Sequence, residues 1–262
     1  LLGTQDMLLS RALNRGYASP RPRWPMEYAA LNRDCLWVLD EIQLMGVGLA
    51  TSAQLQAFRS MDHAIGANAS WWMSATLQPS WLGHGEHREQ VRELDETCVR
   101  IPAADRAGGS FAGTKSCTVT TIPRSVDKNA AAWAQAVFDA HEHSVAGEHG
   151  RVTLAVCNTV DDAAALHGQL QKKTEKSKSG TELRLVHSRF RPMERAAWVD
   201  AFLSREACRP GVDRIIVATQ VVEAGVDISA TTLVTQLAPW SSLVQRFGRC
   251  ARYGGYGNVI VV

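Results

Sequence analysis

The sequence predicts an α/β fold with mostly parallel sheets, spread over two lobes. Three observations carry that expectation. Short apolar runs alternate with helical stretches along most of the 262 residues. Two early runs end abruptly in polar groups: Cys35-Leu36-Trp37-Val38-Leu39 in Asp40-Glu41, and Ser70-Trp71-Trp72-Met73 in Ser74-Ala75-Thr76. Residues 102–128 lack helical periodicity and hold Gly108-Gly109-Ser110 and Gly113-Thr114-Lys115-Ser116, which reads as a passage between domains. A chain of this length can bury two modest cores.

Taken in order, the two early runs read as buried strands whose C-terminal ends carry polar groups. In open α/β sheets that edge is where ligands bind. The first lobe is assigned to 1–125 and the second to 126–262. Residues 116–122 fit a strand inside the passage. A helix at 129–143 opens the second lobe. Strand 152–156 and helix 161–170 follow, then strand 183–186 and helix 193–203. Strands 214–218 and 232–237 come next, then a helix at 241–251 and a last strand at 258–262. The segment 172–180 is rich in Lys and Ser and reads as a solvated loop rather than a DNA contact.

Composition narrows the class. Hydrophobic residues at 45% and charged residues at 21% fit a globular domain and exclude collagen-like and mucin-like chains. A formal charge of +2 argues against a broad basic face for duplex DNA, so nucleic-acid binding would use local grooves. The six cysteines share no CxxC spacing, which argues against a disulfide framework or zinc ribbon and fits a reducing cytoplasm. No apolar run approaches the roughly 20 residues that span a bilayer, so no membrane partner is expected. No signal peptide is read, and the start at Leu1 is taken as that of a fragment.

The chemistry-bearing motifs fall at strand ends. Asp40-Glu41-Ile42-Gln43 puts two carboxylates at the tip of an apolar strand. Magnesium prefers oxygen ligands and keeps several waters, so one carboxylate suits its water shell while the neighbour suits activation of an attacking water. The plainer reading is a solvated turn. Ser74-Ala75-Thr76 follows at the end of the next run and gains meaning only from that order. Thr219 and Gln220 follow strand 214–218 and would emerge at the ligand edge, where hydroxyls and backbone N–H groups can grip a phosphate. Gly225 and Asp227 then form a turn able to face a nucleotide. In Gln245-Arg246-Phe247-Gly248-Arg249-Cys250-Ala251-Arg252, the spacing of Arg249 and Arg252 puts both on one face of a helix. Two guanidinium forks so placed can stabilise a transferring phosphoryl group.

Other features take plainer readings. Trp71 and Trp72 are assigned to core packing rather than base stacking, and Trp240 to a hydrophobic staple. His141, Glu142, His143 and His149 read as a surface cluster at a helix end, since their spacing is not H-E-x-x-H. Cys250 reads as a small packing residue.

DEIQ, SAT, ATQVVEAGVDIS and QRFGRCAR, in this order, resemble motifs II, III, V and VI of superfamily 2 helicases. VLDEIQLMG, WWMSATL, VHSRFRPMER and APWSSLVQRFGRCAR look like the helicase portion of the signature helicase-nuclease of type I CRISPR systems. Residues 20–60 lean towards the type I-G (formerly I-U) branch. The opening Gly3-Thr4-Gln5-Asp6 looks like that family's G-T-x-D element.

The resemblance implies two RecA-like lobes, the first incomplete: motifs II and III in 1–125, and motifs IV, V and VI in 126–262. It implies a motor that uses ATP and Mg2+ to move along single-stranded DNA in antiviral defence. Asp40 would position the metal through water and Glu41 would be the general base. Gln43, Ser74 and Thr76 would couple the nucleotide site to the lobe interface. Gln245, Arg249 and Arg252 would complete the catalytic set, with Gly225 and Asp227 near the ribose. Gly3, Thr4, His187, Ser188, Arg189, Thr219 and Gln220 would touch the DNA backbone. The implied partners are an RNA-guided CRISPR surveillance complex and an HD nuclease domain. The sequence departs from the family in holding no GxxxxGK[ST] loop and no HD segment. Truncation at both ends and a lack of ATPase activity in this piece alone are therefore expected. The rival readings are another superfamily 2 motor, either a restriction translocase or an RNA helicase, and a non-catalytic nucleic-acid-binding remnant.

Overall fold

The computed structural model describes residues 1–61, 66–74, 78–83, 96–108, 111–122 and 126–262, apart from the side chains of 126–129. The chain divides into two compact units, Leu1–Arg100 and Ile101–Val262.

In the first unit, helices α1 (Gln5–Ala12) and α2 (Trp24–Asn32) precede strand β1 (Cys35–Leu39). Helix α3 (Val47–Met61) then leads to strand β2 (Asn68–Trp72). The two strands are parallel, with Cys35 opposite Asn68 and Leu39 opposite Trp72. Strand alternation sends Trp37 and Leu39 into a core with Leu9, Ala12, Leu31, Ile42, Leu49, Ala53 and Leu55. The same alternation turns Leu36, Val38 and Trp71 the other way, 51%, 53% and 60% exposed. The expectation of buried strands is thus corrected for one face, and so is core packing for Trp71. Trp72 does pack against the core, and its indole N–H donates to Ser52 Oγ at 3.0 Å.

The second unit is a six-stranded, fully parallel sheet in the order β3-β8-β7-β4-β6-β5. Its strands are β3 (Thr114–Val119), β4 (Arg151–Val156), β5 (Glu182–Val186), β6 (Asp213–Ala218), β7 (Thr232–Thr235) and β8 (Tyr256–Val261). The helices are α4 (Val126–Glu142), α5 (Val160–Ser177), α6 (Pro192–Trp198) and α7 (Trp240–Phe247). The central strands are covered on both faces, which is why they read as unbroken apolar runs. Val152, Leu154 and Val156 join Ile216, Leu233, Phe202 and Leu203 on one side. Ala155 joins Ile215, Val217, Trp133, Val137 and Leu166 on the other.

Four boundaries differ from the sequence reading. β3 pairs with β8, so the second unit's sheet takes in residues assigned above to the first lobe. Its partner lies more than a hundred residues away, and a local reading sees only a Gly-rich passage. Helix α5 runs on to Ser177, through two-thirds of the Lys/Ser segment, where Lys and Glu are good helix formers and Gln171 bonds to Glu175 at 3.1 Å. Beyond α6 the chain continues in one π-type turn, Val199–Leu203. Helix α7 stops at Phe247, with Gly248 as its C-cap. Among the described residues, no helix is long and apolar enough to cross a membrane.

His141 also departs from its surface reading. It is fully buried. Its Nδ1 pairs with Thr153 Oγ1 at 2.9 Å and its Nε2 with Asp213 Oδ1 at 2.8 Å. A carboxylate can only accept, so Nε2 carries the proton of a neutral ring and Thr153 donates to Nδ1. Arg151 grips the same carboxylate with two bonds, of 2.9 and 2.6 Å.

Candidate functional site

The polar ends of β1 and β2 meet through side chains. Asp40 follows β1 directly, is exposed, and accepts from the Glu41 N–H at 2.9 Å. Glu41 sits in the left-handed region, φ 51° and ψ 47°, a conformation that costs a non-glycine residue and that clusters at functional sites. Ile42, wholly buried, pins the loop to the core, and its N–H donates to Met73 O at 3.2 Å. Gln43 Nε2 donates to Glu41 Oε2, and Ser74 Oγ donates to Gln43 Oε1 at 2.6 Å. The result is a relay from the end of β2 to the second carboxylate of β1. It joins Glu41, Gln43 and Ser74; Thr76 lies outside the described residues.

The donor set suits magnesium held through water better than a protein cage. Among the described residues, no three His, Cys, Asp or Glu groups converge on a metal position. One exposed carboxylate could hold a nucleotide-borne magnesium, since phosphate oxygens and water would fill its other positions. Gly3 and Thr4 lie exposed at the start of α1, where Thr4 Oγ1 accepts from Met7 N at 3.5 Å.

In the second unit the candidate residues gather at the C-terminal edge of the parallel sheet. His187, Ser188 and Arg189 follow β5. His187 stacks on Phe190 with ring centres 4.3 Å apart. Burial, and then the charge of Arg189, hold its imidazole below the ordinary value. Arg189 pairs with Asp161 at 2.9 Å, but both side chains are largely exposed, so the pair holds Arg189 only weakly. Thr219 follows β6 and is buried, not emergent; its N–H donates to Val186 O at 3.1 Å. Gln220 is exposed, and its Nε2 donates to Asn158 O at 2.8 Å. Gly225 adopts φ +72° in open space, so what the position asks of glycine is backbone conformation, not room.

The two arginines do not share a helix face. The helix has ended before them, and Ala251 turns the chain with φ +45°. Arg249 points inward, 6% exposed, donating to Val222 O at 3.1 Å and to Glu223 O at 2.5 Å. Arg252 is partly exposed, and its Nε donates to Asp227 Oδ1 at 2.7 Å. Gln245 is partly buried on the last turn of α7. Trp240 begins α7 and is 68% exposed, edge-on to Phe247 at 6.4 Å, so it is not a staple packed into the core. Cys250 is fully buried in the core, as expected of a packing residue, and burial pushes its thiol up to about 12.

Three residues at this edge were missed. Arg246 is 1% exposed and pairs with the buried Glu223 at 2.8 Å. Asn158 follows β4 and bonds to Arg246 Nη2 at 3.0 Å. A polar residue ending an apolar strand is the signal that singled out Asp40, and it would have found Asn158. No spacing rule links Arg246 to Glu223.

Residues 149–255 match the family described as CRISPR-associated nuclease/helicase Cas3, C-terminal. A stretch of 110 residues is 33% identical to the CRISPR-associated endonuclease/helicase Cas3 of Escherichia coli strain K12, covering 41% of this chain and 12% of that protein. The fold is similar to T. fusca Cas3-ATP, with a TM-score of 0.66 and 18% identity over 95% of this chain and 32% of that one. It is also similar to the DUF1998 helicase MrfA bound to DNA and AMPPNP, with a TM-score of 0.60 and 18% identity over 99% of this chain and 34% of that one. The chain thus spans about a third of the solved chains it resembles. Sequence and fold together make it similar to the helicase portion of Cas3.

Proposed function

We propose, from the Cas3-type helicase match of residues 149–255 and the likeness of the whole fold to a Cas3 helicase portion, that this chain is part of an ATP-driven motor on single-stranded DNA. Its setting is CRISPR-based antiviral defence in the cytoplasm. The observation that carries the motor reading is the Ser74–Gln43–Glu41 relay beside the exposed Asp40.

In this reading Glu41 takes the proton from the water that attacks the terminal phosphate. A base must be aimed, and the strained backbone and the Gln43 hydrogen bond fix the Glu41 carboxylate. Ser74 fixes Gln43 in turn, and Thr76 shares that coupling role. Asp40 would hold Mg2+ through water, and the metal would supply neutralisation of phosphate charge. Arg252, partly exposed, supplies positive charge to the phosphates with Gln245 nearby in sequence. Arg249 does so only after leaving the carbonyls of Val222 and Glu223. Gly225 and Asp227 lie near the ribose. Gly3, Thr4, His187, Ser188, Arg189, Thr219 and Gln220 contact the DNA backbone, Thr219 through backbone groups since its side chain is buried. An RNA-guided surveillance complex recruits the motor, and an HD nuclease domain cuts the strand it feeds; both rest on the likeness to CRISPR-associated relatives.

The 262 residues hold no GxxxxGK[ST] sequence, so alone they are expected to show no useful ATP turnover. Robust DNA-stimulated hydrolysis by the purified chain would overturn that. In a protein that carries these residues together with a phosphate-binding loop, Glu41→Gln is expected to cut ATPase activity on the order of a hundredfold or more. Unchanged turnover would sink the general-base assignment, and stimulation by RNA but not DNA would favour an RNA helicase.

A further inference from the structure

We infer that Asn158 and Arg246 are positioning residues that lock the Thr219–Gln220 segment to the Arg249–Arg252 segment, so that the DNA-facing and nucleotide-facing parts of this unit move as one body. The inference rests on the motor reading for what those two segments contact, and on geometry alone for the lock.

Arg246 lies at the centre. Its Nε donates to Glu223 Oε1 at 2.8 Å, its Nη1 to Thr235 Oγ1 at 2.9 Å and to Gln236 O at 3.1 Å, and its Nη2 to Asn158 Oδ1 at 3.0 Å. Four of its five N–H groups are therefore used, on residues at or beyond the ends of three strands, in a side chain 1% exposed. A guanidinium so enclosed cannot swing out to a phosphate without leaving Glu223 buried and unpaired, which makes Arg246 a brace and not a finger.

Asn158 closes the frame. Its backbone N–H donates to Gln236 Oε1 at 2.6 Å and its carbonyl accepts from Gln220 Nε2 at 2.8 Å. Its side-chain Nδ2 donates to Leu237 O at 2.8 Å while Oδ1 accepts from Arg246. The amide orientation is forced, because Arg246 can only donate and Leu237 O can only accept. Gln220 therefore reaches α7 through one residue. Glu223 is held twice, its side chain by Arg246 and its carbonyl by Arg249. A shift of either segment breaks bonds in the other, which is the physical content of coupling between two sites.

Hydrogen–deuterium exchange on the 262-residue chain tests the lock. Asn158→Leu keeps the branched side-chain shape and removes both side-chain bonds. Exchange is expected to rise at least about fivefold in both 219–227 and 246–253, with Glu182–Val186 and helix α4 at wild-type rates. No rise, a rise in one segment only, or a uniform rise across the sheet overturns the lock. Asn158→Asp keeps the acceptor for Arg246 and loses the donor to Leu237, so it is expected to restore slow exchange at 246–253; failure to do so also overturns it.

The coupling is read in a protein carrying these residues with a phosphate-binding loop. There Asn158→Leu is expected to cut ATPase stimulation by an oligo-dT strand at least about fivefold, with KM for ATP within about twofold. An unchanged stimulation ratio overturns the coupling. A wild-type protein with no stimulation at all defeats the motor reading and the coupling with it, while the exchange pattern still decides the lock.

Discussion

The residues with most at stake are charges placed where water cannot reach them. Glu223 and Arg246 are both nearly sealed, and each is the other's neutralising partner. Removing one side of such a pair is worse than removing both, because the survivor keeps its desolvation cost. Glu223→Ala is therefore expected to lower the unfolding free energy by about 3–5 kcal/mol, whereas Glu223→Leu combined with Arg246→Met should lose less. Urea unfolding of both variants decides it, and a larger loss in the double variant would contradict the argument. Asp40 and Glu41 were legible in the sequence because their signal is local: two carboxylates after an apolar run. Glu223 was not, because its partner is 23 positions away and only packing brings the two together.

Elements end where backbone geometry, not hydrophobic period, dictates. The apolar pattern, which continues to Ala251, predicts that helix α7 runs through Arg249. In the structure Gly248 caps it, and the next residues fold back against two glycines. A side chain at Gly113 would lie 2.3 Å from the carbonyl oxygen of Ala251, and one at Gly257 would lie 2.6 Å from Cys250 Sγ. Backbone cannot yield as the tip of a side chain can. Gly113→Ala is expected to cost about 1–3 kcal/mol by overpacking. Loss of ordered signal at 249–252 in an NMR or exchange map should accompany it, and a variant as stable as the parent would show that strand β3 can move aside. The sequence reading marked Gly113 as part of a linker; its role is close approach to the loop that carries Arg249 and Arg252.

At the scale of the molecule, acid should find the second unit through His141. Burial pushes this imidazole below its ordinary value, and the Asp213 carboxylate, acting the other way, is outweighed. Burial raises the Asp213 carboxyl, but the Arg151 hydrogen bond and the charges around it leave it below the ordinary range. A histidine held low stays neutral in the fold while the unfolded chain takes up a proton. Stability is therefore full above about pH 6.5 and falls as pH drops below it, with a further loss in stronger acid as Asp213 titrates. His167 and His187 are also held low, burial being the first cause in each, and push the same way. His141→Gln is expected to flatten part of the fall in unfolding free energy as pH drops below about 6.5. An unchanged slope there would place the titration elsewhere.

The sequence by itself determined the alternation of strands and helices, the strand ends that carry Asp40, Ser74 and Gln220, and an order of motifs that resembles superfamily 2 helicases. Those properties are local. They rest on apolar periodicity and on polar residues at the tips of buried runs, and both survive in a one-dimensional reading. Tertiary structure alone decided the partner of β3, the burial of His141 and Thr219, the divergence of Arg249 from Arg252, and the brace of Asn158 and Arg246. Each of those depends on hydrogen-bond partners many residues away. A parallel sheet brings strand ends together at one edge without leaving any repeat or spacing in the chain to announce it.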